Sequence, residues 1–181
     1  MCTGNIFRSV MAEAYLAKVA LDRDLDLTVE SAGTLDGERP VSPAALEIIG
    51  RDGIDMSNHL SSTLSDEAVR RADLVLAMAR EHLREVVLID PEAWPRTFTL
   101  KEIVRRAEAR GPRRHGVPFP NWLASLGQDR TREDLLGWSD SDDVADPVGG
   151  GPDVIRATGE EIHELVSRLV DLLALEKRAA P

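Results

Sequence analysis
Cys2-Thr3-Gly4-Asn5-Ile6-Phe7-Arg8-Ser9 (CTGNIFRS, 2–9) decides how this chain is read. It sets a thiol, five intervening residues, an arginine and a hydroxyl directly ahead of a run rich in Ala, Val and Leu. Residues 9–22 (SVMAEAYLAKVALD) have helix-forming composition, with Ser9 as candidate N-cap. A loop feeding a helix N-terminus offers successive backbone N–H groups to an anion. Gly4 and Asn5 are residue types that tolerate the left-handed backbone such a nest needs. Arg8 can grip two phosphate oxygens in a fork. The helix N-terminus and Arg8 favour the Cys2 thiolate, and Ser9 can donate a hydrogen bond to it. The combination is a nucleophile aimed at a bound phosphoryl group.

Outward from this loop, helices alternate with short β-rich runs. LTVESAGT (27–34) begins as an alternating strand and ends in a turn, and SPAALEIIGRDG (42–53) is a helix closed by Gly50 or Gly53. Residues 65–87 give helix, strand and helix, with LVLAM (74–78) as a buried strand. RTFTL (96–100) is a further strand and KEIVRRAEARG (101–111) a helix. Residues 111–151 lack periodicity and read as a long loop with one or two short helices. Ile162, Leu165, Val166, Leu169, Val170 and Leu173 make one face of a final helix. This order implies an α/β fold with a parallel sheet in a single domain over 1–181.

Near the end, DDVADPVGGGPD (142–153) carries Asp146 ahead of Pro147, which bars helix there. In such a loop an aspartic acid can protonate a leaving group and later deprotonate water. Taken alone, Asp146 reads rather as a member of a solvated acidic turn with Asp140, Asp142 and Asp143; the Cys2 loop is what tips it towards chemistry.

The formal net charge of −10 argues against nucleic acid and anionic membrane surfaces as partners. No apolar run reaches the ~18 residues of a membrane span, and no signal-peptide core follows the N-terminus. One cysteine excludes an internal disulfide and a cysteine-built zinc site, so a reducing cytoplasm is the expected compartment. His59, His82, His115 and His163 lack metal-ligand spacing and read as structural or surface residues. The Arg105–Arg114 stretch reads as a solvated helix end, and Trp122 or Trp138 as a possible cleft wall.

CTGNIFRS, SAGT (31–34), GID…H (53–59), ADLVLAM (72–78) and DPVGGG (146–151) occur in the order found in low-molecular-weight protein tyrosine phosphatases, which the chain resembles over most of its length. The resemblance implies a three-layer fold, a four-stranded parallel sheet flanked by helices. It implies Cys2 as nucleophile, Arg8 as phosphate ligand and Asp146 as general acid. The backbone of Thr3, Gly4, Asn5, Ile6 and Phe7 completes the phosphate cradle, with Ser9 steadying the thiolate. It implies a phosphocysteine intermediate and no metal or other cofactor. The implied substrate is a phosphorylated protein or a small phosphomonoester. Arsenate reduction coupled to an external small thiol, or phosphate or partner binding without catalysis, are the alternatives.

Several positions depart from the family pattern. Phe7 stands where many members carry a second cysteine, and Val10 where proline is common. Asp36 and Glu38 follow SAGT, and Val148 replaces a frequent tyrosine. A cleft without aromatic walls stacks a phenol ring poorly. The family's first strand precedes the cysteine, whereas only Met1 does so here. The expectation is a start upstream of Met1 or a sheet one inner strand short, with each unpaired buried backbone group costing ~1–3 kcal/mol.

Overall fold
The computed structural model describes residues 1–173. Seven α-helices occur among them: α1 (Arg8–Asp22), α2 (Pro43–Arg51), α3 (Asp66–Arg71), α4 (Arg80–Ile89), α5 (Leu100–Arg110), α6 (Phe119–Leu126) and α7 (Pro152–Leu173). Strands β1 (Val75–Ala77) and β2 (Thr97–Thr99) flank α4 in sequence, and 3₁₀ turns cover Pro91–Arg96 and Arg132–Leu135. Local chemistry explains several boundaries. Ser42 accepts from Ala45 N at 3.2 Å ahead of Pro43, and Ser65 from Ala68 N at 3.1 Å. Thr99 closes β2 and caps α5 by accepting from Glu102 N at 3.1 Å. Gly53, at φ 72°, turns the chain away after α2.

β1 and β2 pair in parallel, Val75 with Thr97, Leu76 with Phe98 and Ala77 with Thr99. Alternation along β1 sends side chains to two layers. Val75 and Ala77 pack with Val69, Leu83, Val86 and Ala93 on the α3–α4 side. Leu76, Met78 and Phe98 pack on the other side, with α1, α2, α5 and α7. There α1 lies along α7, and Val10, Met11, Ile162, Val166, Leu169 and Val170 are all buried. Arg130 anchors the long connection after α6: its guanidinium stacks over Trp94 at 3.5 Å and Phe98 at 4.3 Å and pairs with Glu102 at 2.9 Å. Among the described residues no helix is long and apolar enough to cross a membrane.

Three expectations need correction. The sheet is smaller than four strands: β1 and β2 form the only ladder among the described residues, extended by single parallel bridges, Cys2 with Gly33 and Gly33 with Thr63. The strand expected at the start of LTVESAGT does not form. Its β-branched composition is a weak preference, and a strand exists only where a neighbour supplies ladder bonds. Met1 and Cys2 fill the position between 32–34 and β1. Cys2 N donates to Ala32 O at 3.2 Å, Met78 N donates to Met1 O at 3.0 Å, and the Met1 amine donates to Leu76 O. Beyond those two residues, 27–31 face Leu74 and Leu76 across a groove of about 1290 Å³. The third correction concerns Ser9. Helix α1 begins at Arg8 with Phe7 at the cap position and no side-chain cap, so Ser9 lies within the first turn.

Candidate active site
The CTGNIFRS loop wraps a buried thiol. Cys2 is 3% exposed; its Sγ accepts from Asn5 N at 3.3 Å and lies 3.1 Å from Ser9 Oγ. Asn5 Nδ2 donates to Ser9 Oγ at 2.9 Å, which leaves the Ser9 proton to point at sulfur. Of the two residues expected to supply left-handed backbone, only Asn5 does so, at φ 49°. Its side chain holds it there, since Nδ2 also reaches Ser31 Oγ at 2.7 Å and Oδ1 accepts from Ser62 N at 2.9 Å. Ser31 Oγ in turn donates to Glu13 Oε2 at 2.5 Å, and Glu13 lies 3.7 Å from His59 Nδ1. SAGT and His59 carried the resemblance in sequence; in the fold they brace Asn5. Gly33 of SAGT is required sterically, because a Cβ there would stand 2.7 Å from Thr3 O and 3.0 Å from Asn5 Cβ.

The loop carbonyls are tied off from behind. Thr34 N donates to Cys2 O and Thr3 O, Leu35 N to Thr3 O, Arg39 Nη2 to Gly4 O, Ser42 N to Ile6 O and Met11 N to Phe7 O, at 2.9–3.2 Å. The N–H groups of Thr3, Gly4, Ile6 and Phe7 have no acceptor among the described residues. Donors without partners, gathered beside a helix N-terminus, make a cradle for an oxyanion.

Arg8 and Asp146 meet at this cradle although 138 residues separate them. Arg8 is buried; its Nη1 donates to Val144 O at 3.2 Å and its Nη2 to Asp146 Oδ2 at 2.6 Å. The Asp146 side chain is 47% exposed, and its Oδ1 accepts from Val148 N at 3.0 Å, fixing the turn at Pro147. The neighbouring acids have different work. Asp143 is buried and accepts from Arg80 N at 2.8 Å and Ser139 N at 3.0 Å, so it caps α4 from a distance. Asp142 is gripped by Arg80 and Arg105, each at 2.7 Å. Burial pushes its carboxyl up, but hydrogen bonds from Arg105 and Arg80 outweigh this and hold it below the usual range. Val144 N completes the anchor by donating to Met78 O at 2.7 Å.

His82 is the residue that sequence reasoning passed over. It lies buried in the first turn of α4, with Nε2 2.8 Å from Thr3 Oγ1. Burial, then the nearby Arg8, N-terminal amine and Arg84 charges, pull its pKa down to about 3. The ring is therefore neutral at physiological pH, and its 3.5 Å approach to Glu81 is not an ion pair. The remaining sequence candidates fall elsewhere. Arg105, Arg106 and Arg110 bond to Asp142, Glu102 and Asp129, and Gln128, while Arg113 lies over Phe119. Trp122 is core, stacked near Phe119, and Trp138 is exposed. His163 stacks on Tyr15 at 4.3 Å.

The family model described as "Low molecular weight phosphotyrosine protein phosphatase" matches residues 1–116. A Bacillus subtilis (strain 168) protein-arginine-phosphatase is 31% identical over 179 residues, 98% of this chain and 97% of that protein. The Escherichia coli (strain K12) low molecular weight protein-tyrosine-phosphatase Etp is 33% identical over 116 residues, 63% of this chain and 75% of its own length. Among solved structures, a low molecular weight protein tyrosine phosphatase from T. tengcongensis superposes with a TM-score of 0.71 at 32% identity, covering 95% of both chains. The chain belongs to the low molecular weight phosphotyrosine protein phosphatase family.

Proposed function
We propose that this chain hydrolyses phosphorylated proteins through a Cys2 phosphothiolate and that phosphoarginine is its substrate residue. The observation carrying the first half is the cradle: loop carbonyls held from behind, N–H groups without partners, and a buried thiol beside Arg8. A phosphoryl dianion entering the cradle takes Arg8 over from Asp146. The freed carboxylate takes up a proton from solvent as the dianion settles beside it. The Cys2 thiolate attacks phosphorus, the bond from phosphorus to the leaving nitrogen breaks, and Asp146 gives its proton to that nitrogen. Water then yields a proton to Asp146 and attacks phosphorus. The S–P bond breaks, releasing inorganic phosphate and the thiolate, which the Ser9 hydroxyl stabilises.

Two observations support phosphoarginine. The arginine phosphatase relative aligns over 98% of this chain. The segments flanking the cradle also lack aromatic rings: one carries the Asp36 carboxylate, held by Thr63 Oγ1 at 3.2 Å, and the other the largely exposed Val148. Carboxylates match a planar guanidinium in charge and hydrogen-bond geometry. A phosphotyrosine reading draws on Ile6, a half-buried aliphatic side chain in the loop against which a phenyl ring can pack. Matched peptides carrying phosphoarginine or phosphotyrosine, compared by kcat/KM, decide between them. The proposal expects phosphoarginine to lead by at least about tenfold, the effect of one charged hydrogen bond. A lead for phosphotyrosine overturns it.

A further inference from the structure
Thr3 follows the thiol directly and starts the cradle. Its carbonyl is held by Thr34 N at 3.0 Å and Leu35 N at 3.1 Å, whereas its side chain has a single partner, His82 Nε2 at 2.8 Å. His82 is 1% exposed, and its Nδ1 is buried without a partner among the described residues. That asymmetry selects the tautomer. Buried N–H groups without acceptors are rarer than acceptors left unsatisfied, so the ring proton belongs on Nε2 and the bare lone pair on Nδ1.

We infer that His82 is a positioning residue for the anion cradle, its Nε2–H donating to Thr3 Oγ1 so that the peptide units on either side of Thr3 keep their N–H groups aimed at a phosphoryl oxygen. Anchored on both sides, Thr3 cannot rotate when the site empties. The same helix turn serves the acid loop, because Arg80 N is bonded to Asp143 Oδ1 at 2.8 Å. One turn of α4 thereby sets the cradle and the Asp146 loop against each other. The low pKa of His82 agrees with this role, since a neutral ring keeps the same proton in place across the working pH range.

This role rests on the phosphatase reading, and its test measures phosphate binding rather than turnover so that the two fail separately. Inorganic phosphate is titrated by calorimetry into wild type, His82→Leu, His82→Gln, Thr3→Val and the His82→Leu/Thr3→Val pair. Each of His82→Leu and Thr3→Val is expected to weaken binding about five- to tenfold, the equivalent of one buried hydrogen bond. Gln, which can place an amide N–H near the Nε2 position, should recover most of the loss. The double variant should bind no worse than either single, as for two halves of one contact. Ring ¹⁵N shifts of wild type should show the Nε2–H tautomer. If His82→Leu fails to fold, Thr3→Val and the ring shifts still decide. Unchanged phosphate affinity in the folded variants, additive losses in the double, or an Nδ1–H tautomer overturns the inference alone. A wild type that binds no phosphate overturns the phosphatase reading along with it.

Discussion

Acidification should destabilise this protein through His82, by an amount that follows from its burial. The ring has a pKa of about 3 in the fold, lowered mainly by burial and then by Arg8, the N-terminal amine and Arg84. In the unfolded chain it returns to ~6.5. Between those values the unfolded state binds a proton that the folded state refuses, so stability rises with pH and is lost as pH falls below about 6.5. The slope approaches 1.4 kcal/mol per pH unit. From pH 7 to pH 5 the loss from this one ring is about 2 kcal/mol. With a urea m-value of ~2 kcal/mol/M, the midpoint should fall by about 1 M. His82→Gln cannot titrate and should lose that part of the pH dependence. The buried Met1 amine, whose pKa burial also lowers, contributes to both proteins alike, so the difference isolates the ring. The assay is urea unfolding of both proteins at half-unit steps from pH 5 to 7.5. Parallel stability curves over pH 5–6.5 would refute the reasoning, because they would mean that His82 takes up its proton without leaving its buried contact.

Three further predictions concern the site and the groove. Cys2→Ser should abolish hydrolysis of an aryl phosphate while retaining phosphate binding; retained turnover would remove Cys2 as nucleophile. Asp146→Asn should lower turnover about 10²–10⁴-fold, the range for a lost general acid, and by less for a leaving group that needs no proton. Equal losses with good and poor leaving groups would reassign Asp146 to holding Arg8, which it contacts at 2.6 Å. Adding about six to eight alternating β-branched residues ahead of Met1, a typical strand length, should fill the groove between 27–31 and Leu74–Leu76 and raise the urea midpoint. An unchanged midpoint would show that these flanks do not accept a ladder.

Sequence legibility followed the range of each interaction. The helices beginning near 42 and 65, the buried run at LVLAM and the apolar face of α7 depend on neighbours within about one helical turn, and they were readable. Strand pairing at 27–31 was not, because whether those residues ladder depends on what lies beside them in space. Ser9 illustrates the division within one residue. Its nearness to the thiol was legible from the loop, but its exact place was not: the helix starts one residue earlier, so Ser9 turns its hydroxyl to sulfur instead of capping.

The acid loop and His82 separate the two kinds of information most clearly. Pro147 and the DPVGGG motif set Asp146 apart in the sequence, whereas nothing local assigned Asp142 or Asp143 a partner. Packing divides them, sending Asp142 to Arg80 and Arg105, Asp143 to the N-terminus of α4, and Asp146 to Arg8. His82 carried no local signal at all, since its contact with Thr3 spans 79 residues. By itself the sequence determined the helices, the family and the thiol–arginine loop, because a loop, its helix N-terminus and an arginine six residues from the thiol are neighbours along the chain. Tertiary structure alone decided what Asp142 and Asp143 hold, which histidine meets the cradle and which β-rich run becomes a strand, because each is a contact between distant segments that exists only once the core has packed.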